Sequence, residues 1–243
     1  MKSILLITDN KYLYENISYL IKKLNLNDVV FEFVQSVSKH NNPDCNKIKM
    51  RSVNLKEEWK QEICSKDLVI SVHCKQLFPK EMVESIRCIN VHPGYNPYNR
   101  GWFPQVFSII NKLPIGVTIH EIDQEIDHGK IIVQERVPTY AWDTSTTLYK
   151  RILEKEIKML EDYLPVIISG NYEAKLMEKE GNLNLKKEFD KLCKLNLDEN
   201  LTMREAIDKL RALSHSGFNN AYFYDECENK IFVEINLMRE IQK

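Results

Sequence analysis

Two short stretches of the chain carry most of the side chains that could take part in catalysis. Residues 89–104 contain Asn90 and His92, and residues 116–129 contain Asp127. Alternate residues of a strand point to the same face, so Asn90 and His92 would enter one cleft together. An amide can donate to a developing oxyanion, an imidazole can accept a proton, and a carboxylate can orient the imidazole. This combination suits acyl transfer to an amine.

Other interpretations are open for the same stretches, and metal binding is one of them. The histidines and the cysteine that could serve as ligands are His73, Cys74, His92, His120 and His128. None of them forms a standard ligand pair, so we expect no metal. Cys74 could act as a nucleophile beside an imidazole, although a small buried side chain is the simpler expectation. Asn-x-His alone is also a common pattern in turns and on surfaces.

Turn-forming residues are concentrated around the candidate catalytic groups. Four of the seven glycines lie between residues 90 and 130, and five of the eight prolines lie in or just before that segment. Glycine and proline mark tight turns and unusual backbone angles. Loops held on a rigid scaffold commonly carry binding and catalytic residues. The segment is therefore the first place to look for a functional site.

The elements that must position these groups alternate between strands and helices. Strands are predicted at 3–8, 29–34, 67–72 and 88–90, and helices at 11–24, 53–64, 79–85 and 103–112. Residues 36–49 are predicted to be a loop. Alternating strands and helices indicate an α/β fold with a Rossmann-like, mostly parallel sheet that has helices on both faces. The candidate groups then lie at the carboxyl ends of strands, where such sheets usually bind ligands.

The second half of the chain departs from this alternation. Strands are predicted at 116–121 and 130–137, followed by a long helix from Asp143 to Gly170. The tail is predicted to be polar to about Asn200, followed by a helix at 203–213 and a hairpin formed by 221–224 and 230–235. We therefore expect a catalytic domain at 1–170 and a C-terminal extension at 171–243. The extension has no obvious core of its own, so we expect it to pack on the main domain or on a second subunit in a homodimer.

Composition excludes several classes of function. The formal net charge of this 243-residue chain is −1, which gives no general attraction to nucleic acid or to an anionic membrane. No apolar run approaches the length needed to cross a bilayer, and the N-terminus is unlike a signal peptide. The six cysteines contain no C-x-x-C pair, and they predict reduced thiols in the cytoplasm.

Several motifs together resemble the signature of the N10-formyltetrahydrofolate-dependent formyltransferases. These motifs are Asn90-x-His92, Arg100-Gly101-x-x-Pro104, Gly116-Val117-Thr118-Ile119 and Ile126-Asp127-x-Gly129. Within that family, the segments 71–79, 92–94, 98–105 and 213–223 are most similar to the sugar N-formyltransferases. The resemblance implies transfer of a formyl group from N10-formyltetrahydrofolate to the amine of a dTDP-linked amino sugar. It further implies a role in the synthesis of a surface polysaccharide such as O-antigen.

The same resemblance implies roles for individual residues. Asn90, His92 and Asp127 would form a catalytic trio in which the amine attacks the formyl carbon directly. The residues that would contact the folate are Gln76, Leu77, Phe78, Ile122, Asp123, Glu125 and Ile126. The residues that would contact the sugar nucleotide are Lys75, Arg100, Trp102 and Tyr222. For most of these residues, core packing, a solvated turn or a surface position is an alternative expectation.

The identity of the acceptor is less constrained than the reaction. The tRNA-specific members of the family carry a basic C-terminal domain, whereas this chain has no comparable extension, so we expect no nucleic-acid substrate. The best prediction is dTDP-4-amino-4,6-dideoxyglucose, although the sequence does not decide between an amine at C3 and one at C4. Another small amine acceptor, and a folate- or nucleotide-binding module without turnover, are the alternatives.

Overall fold

Within residues 1–37 and 50–92, strands and helices follow one another largely as the sequence predicts. The computed structural model describes residues 1–37 and 50–240. The strands are β1 (Lys2–Thr8), β2 (Val29–Ser36), β3 (Arg51–Val53), β4 (Leu68–Val72) and β5 (Cys88–His92). The helices between them are α1 (Lys11–Lys23), α2 (Leu55–Glu62) and α3 (Lys80–Ser85). Most of the loop predicted at 36–49 lies outside the described residues.

The middle of the chain completes the sheet and covers it with a long helix. Its elements are β6 (Arg100–Gly101), α4 (Pro104–Asn111), β7 (Gly116–Glu121), β8 (Ile131–Arg136) and α5 (Ser145–Ser169). Helix α5 begins at a capping box in which Thr144 and Thr147 satisfy each other's backbone N–H groups. It ends at Gly170, whose φ of 80° is the left-handed conformation that glycine adopts readily.

Seven strands form one sheet in the order β3-β2-β1-β4-β5-β7-β8. The first five strands pair in parallel, whereas β7 runs antiparallel to β5 and β8 runs antiparallel to β7. Strand β1 shows why the sheet is covered on both faces, because Ile4 and Leu6 pack into one core while Leu5 and Ile7 pack into another. The predicted α/β fold with a mostly parallel sheet is confirmed.

Different helices cover the two faces of the sheet. Helices α1, α4 and α5 supply Leu13, Val106 and Leu160 to the larger core. Helices α2 and α3 supply Leu55 and Met82 to the smaller core. The carboxyl ends of β1, β4 and β5 meet at one edge of the sheet, because these strands pair in parallel. This edge carries the candidate catalytic residues.

The C-terminal tail contains β9 (Leu183–Asn184), α6 (Lys186–Cys193), α7 (Met203–Leu213), β10 (Ala221–Tyr224) and β11 (Lys230–Val233). Strands β10 and β11 form the predicted antiparallel hairpin. The tail packs on the main body of the protein, because the ring of Phe189 lies 4.0 Å from that of Phe103, and Ala212 and Leu213 join the larger core. No helix among the described residues is both long enough and apolar enough to cross a membrane.

The sequence-based predictions missed four short elements, which are β3, β6, β9 and α6. Strand β3 lies within a stretch that contains a charged and a polar residue, so its pattern does not indicate a strand. The tail before Asn200 was predicted to be merely polar, yet it contains β9 and α6. Helix α6 has mostly charged residues, and it is stabilised because Phe189 and Cys193 on one side are buried against the main body.

Candidate active site

Strand β5 places Asn90 and His92 at the edge of the sheet where the parallel strands have their carboxyl ends. It pairs in parallel with β4, so that Val72 is opposite Val91, and antiparallel with β7, so that Asn90 is opposite His120. The apolar residues Ile89 and Val91 are fully buried and fix the register of the strand. His92 is itself buried, whereas Asn90 is half-buried. The side chains thus lie where the strand leaves the core.

Asp127 meets both of these side chains from the loop after β7. Its Oδ1 accepts a hydrogen bond from Asn90 Nδ2 at 2.9 Å, and its Oδ2 lies 3.3 Å from His92 Nδ1. The backbone N–H of Gly101 also donates to Oδ2 at 3.0 Å. Asp127 has a φ of 50°, and Asn96 holds this turn because its Nδ2 donates to the Asp127 carbonyl at 2.7 Å. The structure therefore brings together the three residues that the sequence analysis grouped.

The electrostatics of the trio favour a carboxylate beside a neutral imidazole. Burial lowers the pKa of His92 to about 4, with Asp127 opposing this effect and His120, His73 and Arg100 adding to it. Burial alone would raise the pKa of Asp127, but the adjacent imidazoles and the Gly101 N–H outweigh burial and lower it. At neutral pH, Asp127 is ionised and His92 is uncharged.

This charge state leaves a basic nitrogen in the site. With Asp127 ionised, His92 carries its proton on Nδ1, the nitrogen that faces the carboxylate, so Nε2 has the free lone pair. Within the described part of the chain, His92 Nε2 is buried and has no hydrogen-bond partner. A Cβ added at Gly94 would lie 2.2 Å from this atom, so glycine is required for the loop to pass the ring. A buried nitrogen without a partner is a candidate for contact with a substrate.

His120 is a fourth member of the cluster, and the sequence analysis considered it only as a metal ligand. Its Nδ1 donates to the carbonyl of Glu121 at 2.7 Å, which leaves Nε2 as an acceptor for Asn90 Nδ2 at 3.3 Å. Both amide hydrogens of Asn90 are thus used, one by Asp127 and one by His120. The pairing of β5 with β7 creates this contact, and only a prediction of antiparallel register could have found it.

Arg100 lies near the trio and is almost entirely buried. Among the residues that the structure describes, its Nε and Nη1 atoms have no hydrogen-bond partner. Its Nη2 lies 3.6 Å from Glu180 Oε2, and this glutamate is largely exposed. Burying a guanidinium without partners is costly unless an anion meets it. The geometry therefore suits Arg100 to binding an anionic part of a ligand.

The tail holds the loop that carries Arg100. The backbone N–H of Arg100 donates to the Asn182 carbonyl at 3.0 Å, and that of Trp102 donates to the Asn184 carbonyl at 2.9 Å. Asn99 is fully buried, and its Oδ1 accepts from the side chains of Asn182, Asn184 and Asn111. We call this contact between residues 99–102 and 182–184 the loop clamp. The sequence analysis missed it because neither strand contains an apolar run.

The first group of predicted folate residues lies in the loop after β4. Gln76 uses its side chain to join neighbouring segments, because Oε1 accepts from Leu55 N and Nε2 donates to the Val37 carbonyl, both at 2.7 Å. Leu77 is exposed, and Phe78 packs partly into the smaller core. Leu77 is therefore the residue of this group whose exposed apolar side chain could contact a pterin ring.

The second group of predicted folate residues lies in the loop before Asp127. Ile122 packs partly into the smaller core, and its backbone N–H donates to the Cys88 carbonyl at 2.8 Å. Asp123 accepts from the backbone of Glu125 at 2.9 Å and lies 2.7 Å from His128 Nδ1. Glu125 is exposed and Ile126 is half-buried. The acidic residues thus form a solvated turn that stabilises itself.

The remaining predicted ligand residues lie in different parts of the molecule. Lys75 is exposed at the catalytic edge, and its backbone N–H donates to Asp9 Oδ2 at 2.8 Å. Trp102 is half-buried in the loop clamp. Tyr222 lies in the hairpin, where Lys230 Nζ is 3.6 Å from the centre of its ring. The structure therefore shows no contact of Tyr222 with the trio, and one face of its ring is already covered.

Metal ligation and thiol chemistry have little support in the described residues. No group of three or more His, Cys, Asp or Glu side chains is arranged there to hold a metal ion. Burial raises the pKa of the Cys74 thiol to about 12, which keeps the thiol protonated and poorly nucleophilic at neutral pH.

Comparison with known proteins agrees with the geometry of the site. Residues 1–164 match a family model described as formyl transferase, and residues 188–239 match an N-formyltransferase dimerization C-terminal domain. The chain is 49% identical over 174 residues to dTDP-4-amino-4,6-dideoxyglucose formyltransferase of Mycobacterium tuberculosis, an alignment that covers 72% of this chain and 74% of the relative.

Solved structures extend this similarity to the whole chain. A sugar N-formyltransferase from a Shewanella species superposes with a TM-score of 0.93 at 43% identity, covering 100% of both chains. A formyltransferase from Anoxybacillus kamchatkensis, solved in complex with UDP-4,6-dideoxy-4-formamido-L-AltNAc and tetrahydrofolate, has a TM-score of 0.62 at 26% identity. That alignment covers 86% of this chain and 98% of the other. The chain belongs to the formyl transferase family and is an N-formyltransferase.

Proposed function

We propose that the protein transfers a formyl group from N10-formyltetrahydrofolate to the amine of dTDP-4-amino-4,6-dideoxyglucose. The observation that carries this proposal is the meeting of Asn90, His92 and Asp127 around an unpartnered imidazole nitrogen. The name of the M. tuberculosis relative supports the amino sugar, and the Anoxybacillus complex supports a folate and a nucleotide sugar.

In the proposed mechanism, the amine attacks the formyl carbon directly and no covalent enzyme intermediate forms. His92 accepts a proton from the attacking amine at Nε2 and gives it to N10 of the folate as the bond from N10 to the formyl carbon breaks, while Asp127 holds the ring through Nδ1 and stabilises its positive charge. Asn90 donates to the formyl oxygen as that oxygen gains charge. The hydrogen available for this is the one that Asn90 shares with His120 across 3.3 Å, since the bond to Asp127 is shorter. One such donor contributes about 3 kcal/mol to transition-state stabilisation.

The folate would lie along the catalytic edge between the loops that follow β4 and β7. We assign the wall of its site to Gln76, Leu77, Phe78, Ile122, Asp123, Glu125 and Ile126. Leu77 would supply apolar contact, because it is exposed in the structure. Gln76 and Asp123 would act mainly by holding their loops, because their side chains already bind protein groups.

The sugar nucleotide would approach from the side of the loop clamp. Arg100 is the proposed partner of the diphosphate, because two of its buried nitrogen atoms have no partner within the described residues. Lys75 would add a second positive charge at the same edge. Trp102 and Tyr222 are the proposed aromatic contacts of the base, and for Tyr222 this requires the uncovered face of its ring or displacement of Lys230.

We further propose a division of the chain and a setting for its activity. Residues 1–170 would be the catalytic domain, and residues 171–243 an extension that forms a homodimer; the match at 188–239 to a dimerization domain supports this. The product would serve the synthesis of a surface polysaccharide such as O-antigen. We place the enzyme in the cytoplasm, since the five cysteines among the described residues are free thiols.

The test is an acceptor panel with the purified protein and N10-formyltetrahydrofolate. We expect mass spectrometry to detect formylated dTDP-4-amino-4,6-dideoxyglucose. The kcat/KM for the 3-amino isomer should be at least tenfold lower than that for the 4-amino sugar, because a misplaced amine lies off the line of attack. A preference for the 3-amino isomer would correct the substrate. Formylation of simple amines but of neither sugar nucleotide would refute the sugar proposal.

A further inference from the structure

A second imidazole–carboxylate pair lies at the catalytic edge, outside the trio. Glu156 on α5 is completely buried, and both of its carboxylate oxygens lie near His73 Nε2, at 2.9 and 3.0 Å. Within residues 1–37 and 50–240, His73 is the one partner of this carboxylate. Burying a carboxylate beside a single partner is costly unless that partner carries a positive charge.

Strand pairing places His73 beside His92. His73 follows the last residue of β4, Val72, which is paired with Val91 of β5. Adjacent strands are about 4.8 Å apart, so the backbones of His73 and His92 are neighbours. The two imidazoles are close enough that a positive charge on His73 lowers the pKa of His92. His73 has a φ of 61°, a conformation that costs energy and is common at functional sites.

The outer nitrogen of His73 faces a hydroxyl group. Its Nδ1 lies 3.0 Å from the Tyr149 hydroxyl, which in turn accepts from Asn10 Nδ2 at 3.1 Å. The orientation of Asn10 is fixed, because its Oδ1 caps helix α1 by accepting from Leu13 N. Glu156, His73 and Tyr149 therefore form a continuous line from the buried interior to a half-buried hydroxyl. We call this line the proton relay.

We propose that the proton relay removes the first proton from the amine of the substrate, which arrives as an ammonium ion; this inference rests on the proposed function. The ammonium proton passes to the Tyr149 oxygen while the Tyr149 hydroxyl proton passes to His73 Nδ1. The resulting imidazolium is neutralised by Glu156. The free amine then bonds to the formyl carbon, the bond from that carbon to N10 breaks, and N10 receives the second amine proton by way of His92 Nε2. The relay later releases its proton to water.

The charge balance of the relay explains why it would accept a proton. A proton on His73 beside the carboxylate form of Glu156 makes the two buried groups a neutral ion pair. Burial raises the pKa of Glu156, with His73 opposing this effect. His92, by contrast, has a pKa of about 4 and is too weak a base for an ammonium ion. The other titratable groups around the relay and the trio are Asp9, Cys74, Lys75, His92, Arg100, His120, Asp127 and His215.

The pH profile of kcat/KM for the amino sugar tests the relay. We expect Glu156→Gln to lower the plateau about a hundredfold and to move the acid limb to lower pH, because the imidazolium loses its stabilising charge. Tyr149→Phe, which removes only the hydroxyl, should lower the plateau as strongly. This variant provides the test if Glu156→Gln does not fold. The control is Glu62→Gln, a buried carboxylate that binds Arg51 on the other side of the sheet, and its profile should match wild type.

Each outcome bears on one claim. Thermal melts of every variant separate loss of fold from loss of rate. Suppose that the wild type formylates the sugar. The relay is then refuted, and the proposed function stands, if kcat/KM of both variants has the wild-type acid limb and plateau, or is lower than wild type by the same factor at every pH. If the wild type forms no formylated sugar at any pH, the proposed function fails, and the relay fails with it.

Discussion

At the scale of the residue, burial sets the charge states on which the chemistry depends. His92 and Asp127 are held in contact in a nearly water-free position, and this makes the imidazole neutral and the carboxylate ionised. A neutral imidazole with a free Nε2 can accept a proton during amine attack. The same burial means that the folded protein loses stability when the pH falls, because protonating a buried imidazole is unfavourable.

We therefore predict that the free energy of unfolding depends on pH and that His92 causes part of this dependence. Its pKa falls from 6.5 in the unfolded chain to about 4 in the folded protein, so the unfolded state binds more protons between these values. The free energy of unfolding should therefore decrease as the pH drops from 6.5 to 4, by about 3 kcal/mol from this residue. Denaturant titrations should show that His92→Asn removes this part of the decrease.

The matched control is His128→Asn, which removes a half-buried imidazole from the loop next to Asp127. It should keep most of the wild-type decrease in stability between pH 6.5 and 4. An equal decrease in wild type and in His92→Asn would contradict the assignment.

Residue types and spacing predicted only part of this site. Asn90 and His92 are two apart in a strand, so periodicity alone placed them on one face. Asp127 was grouped with them because it precedes Gly129 in a turn that could reach the same cleft, and it lies in contact with both. His120, Glu156 and Tyr149 could not be assigned, because their roles depend on strand register and on helix packing across the sheet. Glu156 gave no signal in the sequence beyond interrupting the apolar face of a long helix.

At the scale of the element, the loop clamp makes the tail a part of the catalytic site. Gly181 lies so close to the catalytic loop that a Cβ there would be 1.7 Å from the Pro97 carbonyl oxygen. Gly181→Ala must therefore push the tail away from Arg100. We expect a loss of about 1–3 kcal/mol in the free energy of unfolding and at least a tenfold rise in KM for the sugar nucleotide.

The control for this prediction is Gly217→Ala in the same tail. A Cβ at Gly217 meets nothing within 4 Å, although its φ of 81° costs about 1 kcal/mol for alanine. Steady-state kinetics should show an unchanged KM for this variant. An unchanged KM for Gly181→Ala as well would show that the clamp does not position Arg100.

The elements themselves were predictable where burial leaves a pattern. Strands β1 and β4 are continuous apolar runs, and α5 and α7 show apolar residues at helical spacing, so the sequence indicated all four. The short strands β3, β6 and β9 contain polar residues and are held by pairing with partners distant in the sequence. Local propensity carries no information about such pairing, which is why these strands were missed.

At the scale of the whole molecule, the hairpin is the surface on which the proposed dimer depends. Ile231 and Phe232 of β11 are substantially exposed although both are apolar. Ile231→Lys should convert the proposed dimer into a monomer, because a charge would be buried at the interface. Light scattering during size-exclusion chromatography measures the change. Val30→Lys, at an exposed apolar position on β2, should remain dimeric, and a wild-type monomer would contradict the proposal.

The central claim is that Asn90, His92 and Asp127 act together on one formyl carbon. Its most direct test is the rate of sugar formylation by Asp127→Asn, measured by mass spectrometry alongside calorimetric binding of the sugar nucleotide. We predict that the rate falls about a hundredfold or more while binding stays within a few-fold of wild type, because the imidazole loses its carboxylate. A variant that formylates the sugar as fast as the wild-type protein would contradict the account.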